Sequence, residues 1–227
     1  MHSESTTSFP FDARMTLLSR YNREHLETFR AVREHLARMR PEDYQDLLGR
    51  IQPYLGFREE VAAFQEAHFS EVCTLKCFQD RTSACCGREG IAAFFADVVV
   101  NTLLAAPEET RTLTHALEHA REGSQCVYLG DQGCLWRVKP IVCEMFLCHH
   151  AMQTVLTPDP ALESQWKAFR ARERQFTWPD RPVLFDDLES FFLERGCDSP
   201  LMYFHKGPGL LRVKAKARAR RGEATQA

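Results

Sequence analysis

The sequence predicts an all-α fold interrupted by one irregular cysteine-rich knuckle or short hairpin. Three observations carry this. Apolar residues recur at helical spacing over most of the chain, as at Leu26, Phe29, Val32 and Leu36. Prolines fall where first turns of helices would begin, at Pro41, Pro107 and Pro140. Eight of the nine cysteines sit in two short groups between residues 73 and 148. The stretch between the groups is largely cysteine-free and helical in pattern, so the thiols belong to one folded region closed from both sides.

Taken in order, residues 11–40 form a long amphipathic helix with Leu18, Leu26, Phe29, Val32, Leu36 and Met39 on one side. Pro41 ends it and opens a second, whose apolar face is Tyr44, Leu47, Leu48 and Ile51. Pro53 and Gly56 break that helix, and a third follows with Phe57, Val61, Phe64 and Val72, delivering Cys73 at its C-terminal end. Residues 88–105 form the next, with Ile91, Phe94, Phe95, Val98 and Val99 too apolar for a surface. Another starts at Pro107, with Glu108 and Glu109 in its first turn, where carboxylates suit the positive end of the helix dipole. The sequence Gly130-Asp131-Gln132-Gly133, between Val127-Tyr128-Leu129 and Leu135-Trp136, reads as a hairpin turn. Pro140 opens a helix through Ile141, Val142, Met145 and Phe146. Beyond Thr157-Pro158-Asp159-Pro160 come two more helices. One carries Leu162, Trp166 and Phe169; the other is capped by Asp186 or Asp187, carries Leu188, Phe191 and Phe192, and stops at Gly196. The chain thus divides into a helical scaffold (1–72), a cysteine-cluster region (73–150), helices packing on the same domain (151–206) and a basic, disordered tail (207–227).

Of 227 residues, 44% are apolar and 26% charged, which suits a chain that buries a real core. The net charge is −2, yet residues 212–227 hold six basic side chains against one acidic, leaving −7 on the remainder. No aromatic residue is interleaved there, so nucleic-acid binding has no support beyond the charge itself. The N-terminal residues lack the basic and apolar regions of a secretory signal, and the most apolar run is interrupted by Asp97 and Asn101. The expectation is a cytoplasmic protein with no membrane span. In a reducing compartment, clustered thiols point to metal or redox chemistry rather than disulfides.

The first group supplies Cys73, Cys77, Cys85 and Cys86, and the second supplies Cys126, Cys134, Cys143 and Cys148. Thiolates are soft ligands, favoured by zinc and iron–sulfur clusters over magnesium or calcium. Four complete a tetrahedral zinc site or hold one cubane cluster. The Cys73-x3-Cys77 spacing lets two sulfurs face one centre. Adjacent Cys85 and Cys86 can both be used only in a turn, which Gly87 would permit. Cys134 follows the hairpin turn, the usual place for a knuckle ligand. Cys143 and Cys148, five apart, can share a centre only if their helix starts late or ends early. Lys76, Arg81, Arg88, Arg137 and Lys139 lie near enough in sequence to offset the charge of an anionic thiolate centre. The alternatives are one centre or two, zinc or iron–sulfur, and a redox role for the vicinal pair Cys85-Cys86. Cys197, alone and downstream, is expected to be a buried structural thiol.

The pattern Cys73, Cys77, Cys85-Cys86-Gly87, then Cys126-Val127-Tyr128-Leu129, Cys134-Leu135-Trp136 and Lys139-Pro140-Ile141-Val142-Cys143 resembles the YkgJ-type cysteine-cluster family, over about a third of the chain. That family is described as carrying a zinc- or iron-chelating domain, so the resemblance implies metal binding without a defined reaction. Here the spacers of the first segment are longer than is common in the family, Trp136 stands where Tyr is frequent, and Lys139 replaces the usual Arg before Pro.

Other motifs weigh less. His115-Ala116-Leu117-Glu118-His119 matches the H-x-x-E-H pattern of zinc peptidases, but its histidines lie opposite the apolar face of Leu113, Ala116, Leu117 and Ala120. His149 and His150 could replace a cysteine ligand, but more simply belong to a helix end. The C-x3-C opening lacks the third cysteine of radical-enzyme motifs, because Asp80 stands there. Beyond metal binding, two functions stay open: a metal-dependent or redox enzyme acting on a protein or small molecule, and a metal-stabilised module docking an unknown protein partner.

Overall fold

Ser19 opens the first helix by accepting the Asn22 amide on its hydroxyl at 3.2 Å. This helix, α1 (Arg20–Ala37), buries Leu26, Phe29 and Val32 as its spacing requires. The computed structural model describes residues 18–87, 93–119, 125–177 and 183–202. The start expected at residue 11, Arg88, Ile91 and the basic tail therefore lie outside the described residues.

The expected break at Pro53 and Gly56 does not occur. A single helix, α2 (Pro41–Phe69), runs through both. Pro53 removes one hydrogen bond and presses on the Gly49 carbonyl, at about 3 kcal/mol, and a helical glycine adds about 1 more. Against this, Leu47, Ile51, Tyr54, Phe57 and Val61 are each at most 1% exposed. At roughly 1.5–3 kcal/mol for each large side chain, burial of that stripe outweighs both breakers. Pro53 and Gly56 face solvent, and a Cβ on Gly49 or Gly56 would meet nothing within 4 Å, so no neighbour resists a local bend. The helix continues as a π-helical segment, Ser70–Phe78, which carries Cys73 and Cys77.

The remaining elements are α3 (Phe95–Leu104), α4 (Pro107–Glu118), the hairpin strands β1 (Leu129–Gly130) and β2 (Gly133–Cys134), the short helices α5 (Ile141–Glu144) and α6 (His149–Ala151), a π-helical turn (Met152–Leu156), α7 (Pro160–Thr177) and α8 (Leu184–Glu194). Glu109 closes the start of α4 by accepting the Ala106 amide at 2.7 Å. The strands pair antiparallel, Leu129 with Cys134 and Gly130 with Gly133, and Gly133, just after the Asp131-Gln132 turn, takes a φ of +111° that favours glycine. The cap of α8 is Val183 rather than Asp186 or Asp187, which instead occupy the first turn. Gly196, at φ +78°, ends α8 as expected, with the Cys197 amide returning to the Phe192 carbonyl at 3.0 Å.

One continuous apolar cluster joins α1, α2, α3, α4, α7 and α8, and reaches Tyr128 and Trp136 of the hairpin. α1 packs on α3 and α4, and α8 on α3 and α7. The fold is thus mainly helical, with a two-stranded hairpin on its flank. Among the described residues no helix is long and apolar enough to cross a membrane.

Candidate metal centre

The first cysteine segment begins on the π-helical extension of α2. In that widened helix, residues four apart remain on one face, so Cys73 and Cys77 share a side. The chain then reverses: the Cys77 carbonyl accepts both the Thr82 amide (2.9 Å) and the Ser83 amide (3.1 Å). Arg81 (φ +59°) and Ser83 (φ +40°) adopt the left-handed backbone that non-glycine residues rarely take. A turn closed by the Cys86 amide on the Ser83 carbonyl, at 2.8 Å, holds Cys85 and Cys86. The turn these adjacent cysteines need is therefore made upstream. Gly87, expected to supply it, instead lies in the bridge to Gln125.

That bridge joins the two segments. Gly87 pairs antiparallel with Gln125, and the Cys126 amide donates to the Cys86 carbonyl at 2.7 Å. Cys126 then precedes the hairpin and Cys134 ends its second strand. The helix opened by Pro140 stops at Glu144 after one turn, earlier than the expected extension through Phe146, so Cys143 and Cys148 are not on opposite faces of an unbroken helix. Cys148 starts α6 and accepts the Ala151 amide on its sulfur at 3.4 Å.

Electrostatics sort the thiols into two neighbourhoods. Cys73, pushed up first by burial, is raised further by Cys85, Cys148 and Cys77. Cys86 is raised by its hydrogen bond with Cys85, by burial, and by Cys126 and Cys134. The pair Cys85-Cys86 links the two sets, with Cys85 drawn down to about 6 chiefly by the Cys86 thiol hydrogen-bonded to it. Burial raises Cys126 and Cys134, while backbone amides oppose it: Tyr128 donates to Cys126 at 3.4 Å, Leu129 also points at Cys126, and Trp136 points at Cys134. Such amides favour the thiolate, which is the metal-binding form. Lys139 lowers Cys73, Cys85 and Cys134, so it serves the sulfurs among the described cations. Lys76 is paired with Glu71 (2.6 Å) and Arg137 with Glu109 (3.1 Å) at the surface.

All nine cysteines are described, and no disulfide joins any of them. Among the described residues, no three Cys, His, Asp or Glu side chains stand at metal-holding spacing. The bridge brings the two cysteine segments side by side, but the thiols are not drawn onto one point. Soft sulfur donors are the ligand type that thiophilic metals take. Cys197 is buried apart from them, its thiol raised to about 11 by burial.

Several residues that position these segments carry no cysteine-like signal in sequence. Asp97 and Asn101, one turn apart in apolar α3, are buried and reach the second segment. Asn101 exchanges two hydrogen bonds with Val138, donating at 2.7 Å and accepting at 3.0 Å, and Asp97 accepts the Ile141 amide at 3.1 Å. Arg58 of α2 donates to the Lys139 carbonyl (2.8 Å) and faces buried Glu144 at 3.6 Å; Glu144 also meets Lys139 at 3.3 Å. Gln65 donates to the Glu144 carbonyl at 2.6 Å. A polar residue interrupting an otherwise apolar helical run was the available sign for Asp97 and Asn101.

His115 and His119 stack at 4.1 Å on an exposed face, with Glu118 paired to Arg30 at 2.9 Å, so this motif is a solvated helix surface. His149 and His150 are exposed at the start of α6, not at a helix C-terminus. Comparison of the chain with protein-family models, curated proteins and solved structures found no match to any of the three.

Proposed function

We propose that this protein binds zinc or an iron–sulfur cluster through Cys73, Cys77, Cys85, Cys86, Cys126, Cys134, Cys143 and Cys148. The observation that supports it most is the Gly87–Gln125 bridge with its 2.7 Å Cys126–Cys86 hydrogen bond, which ties two thiol-rich segments distant in sequence into one. The likeness to the YkgJ-type pattern agrees with this reading. One set of thiols gathers around Cys73, with Cys77, Cys85 and Cys148, and the other around Cys86, with Cys126 and Cys134, so the sulfurs on hand allow one centre or two. Such a centre would supply either rigid tetrahedral cross-linking or one-electron chemistry. The chain's own part is to hold thiolates with backbone amides and Lys139, and to brace their loops through Asn101, Asp97 and Arg58.

The test is anaerobic purification with elemental analysis. Iron with sulfide in a brown sample assigns a cluster, and zinc in a colourless one assigns zinc; the stoichiometry separates one centre from two. Cys85→Ser and Cys143→Ser should each lose metal and melt lower. Retention of full metal content and melting temperature by both would sink the proposal.

A second reading is favoured by Cys85, lowered to about 6 beside its hydrogen-bonded neighbour: a thiolate nucleophile in a metal-free redox protein. It predicts rapid alkylation of Cys85 at pH 7 in wild type, unaffected by added zinc. Protection by zinc decides for the metal.

A further inference from the structure

The seam between α1 and α4 holds a small pocket of about 120 Å³, lined by Phe29, Arg30, Arg33, Thr110, Thr114 and Glu118. Helical spacing builds its walls. Arg30 and Arg33 lie one turn apart on α1, while Thr110, Thr114 and Glu118 recur every four residues as one stripe on α4. Phe29, 1% exposed, supplies an apolar base. The charges on the walls are unequal. Glu118 takes Arg30 at 2.9 Å, and no other carboxylate lines the pocket. Arg33 makes no ion pair among the described residues, so one guanidinium charge is left uncompensated. The threonines differ as well. The Thr114 hydroxyl donates to the Thr110 carbonyl at 3.1 Å and to the Arg111 carbonyl at 3.0 Å. Thr110 is only 6% exposed, yet its hydroxyl makes no hydrogen bond among the described residues and is not sealed from solvent. Polar groups on residues this buried are normally bonded, so a donor held beside a spare guanidinium points to an acceptor that carries negative charge.

We propose that this pocket binds a small oxyanion of the phosphate class. Arg33 takes its charge, the Thr110 hydroxyl donates to one of its oxygens, and Arg30 is shared between the anion and Glu118. A guanidinium offers two parallel N–H donors to such a group, which is why arginine suits it. The volume lies well under the roughly 300–1,000 Å³ of a pocket for a drug-sized ligand, so it admits one phosphate group rather than a whole nucleotide. The ligand is inorganic phosphate, or the phosphate end of a monoester whose remainder stays in solvent.

Inorganic phosphate titrated into the full chain should shift the Thr110 and Thr114 amide resonances saturably. Thr110→Val removes the donor at nearly constant volume, and Arg33→Gln removes the spare charge, so each should weaken binding about 10-fold. Neither side chain has an ion pair or a side-chain hydrogen bond to lose among the described residues, so both variants should keep the wild-type melting temperature. Glu118→Gln acts with the opposite sign: it releases Arg30 to the anion and should tighten binding about 3-fold. Arg111, paired with Glu108 at 2.9 Å and outside the pocket lining, is the control. Arg111→Gln makes the same change in net charge and should leave the affinity as it is. Equal weakening by Arg33→Gln and Arg111→Gln would reduce the effect to bulk attraction and overturn the site, as would the lack of saturable shifts at millimolar phosphate. Glycerol phosphate separates the two sources, since tighter binding than inorganic phosphate assigns a monoester and equal or weaker binding the free ion. No cysteine lines the pocket, so this result and the metal analysis stand or fall separately.

Discussion

The helical scaffold and the cysteine-bearing flank are held by different forces. In α2, Tyr54, Phe57, Val61 and Phe64 bury aromatic and branched side chains against Phe169, Phe176 and Phe185, with ring separations of 5.3–6.3 Å. Across the flank, the thiols are exposed or half-buried, and beyond the π-helical Ser70–Phe78 the elements are single turns or two-residue strands. Elements that short cannot hold themselves, since nucleating a turn of helix is unfavourable and an isolated hairpin is marginal. Their order is imported through Asn101, Asp97, Arg58 and Gln65, which fasten backbone groups of the flank to α2 and α3. The scaffold is thus specified by apolar burial, and the flank by a few directed hydrogen bonds.

The largest effect should come from the scaffold. Phe57 is 1% exposed, stacks on Phe176 at 5.4 Å and lies under the Arg172 guanidinium at 5.2 Å. Phe57→Ala should cost about 3–5 kcal/mol of unfolding free energy in urea titration. Because the flank hangs on α2, its amides should lose protection together with those of the scaffold. A variant that melts the flank alone would show that the two regions are not coupled as described.

His25 lies at the seam, bonded to Tyr128 of the flank, and burial lowers its pKa to about 4. The unfolded chain therefore takes up the proton first as pH falls. His25 contributes its full stability above about pH 6.5 and loses about 3 kcal/mol of it by pH 4. Buried Asp97, raised to about 6, runs the other way, since its folded form gains the proton first and so adds stability over the same fall in pH. The clean measurement is the stability gap between wild type and His25→Gln, which should narrow by about 3 kcal/mol between pH 7 and pH 4. A gap independent of pH would mean that His25 is not held neutral.

A smaller and local effect distinguishes the flank. Asn101→Ala strands the Val138 amide and carbonyl, at about 2 kcal/mol. Hydrogen exchange should quicken at Val138 and Ile141 while amides in the middle of α2 keep their protection. Uniform acceleration across both regions would contradict the division of labour.

Much of the scaffold was legible because burial with a 3.6-residue period writes itself into the sequence. Leu26, Phe29 and Val32, the carboxylates of α4's first turn, the hairpin at Gly130–Gly133 and the stop at Gly196 all follow from local chemistry. The flank was legible in composition but not in geometry. Nothing local to Cys85-Cys86 announces that Arg81 and Ser83 would carry the reversal, since positive φ at non-glycine residues is imposed by surroundings. Arg58 looks like an ordinary helix residue until a partner 81 positions away arrives, and Asn101 is marked only as a polar break in an apolar run until it meets one 37 positions away. The start of α5 follows the same logic, because Asp97 of another helix accepts the Ile141 amide.

The remaining prediction concerns the place where local rules and tertiary packing disagree most openly. Proline and glycine three residues apart signal a break, yet α2 passes through Pro53 and Gly56 because the opposite face is buried without a gap. If packing overrides the breaker, the missing hydrogen bond to Gly49 is a standing penalty that the burial offsets. Pro53→Ala restores the amide donor on a solvent-facing position, while giving back some entropy to the unfolded chain. The net should be a gain of about 1 kcal/mol, read as a higher urea midpoint at unchanged slope. A turn at this point would reverse the sign, since alanine there would forfeit the preset φ of proline and gain no hydrogen bond. The direction of a small shift thus separates one continuous helix bearing the first cysteines from two helices that meet at a corner.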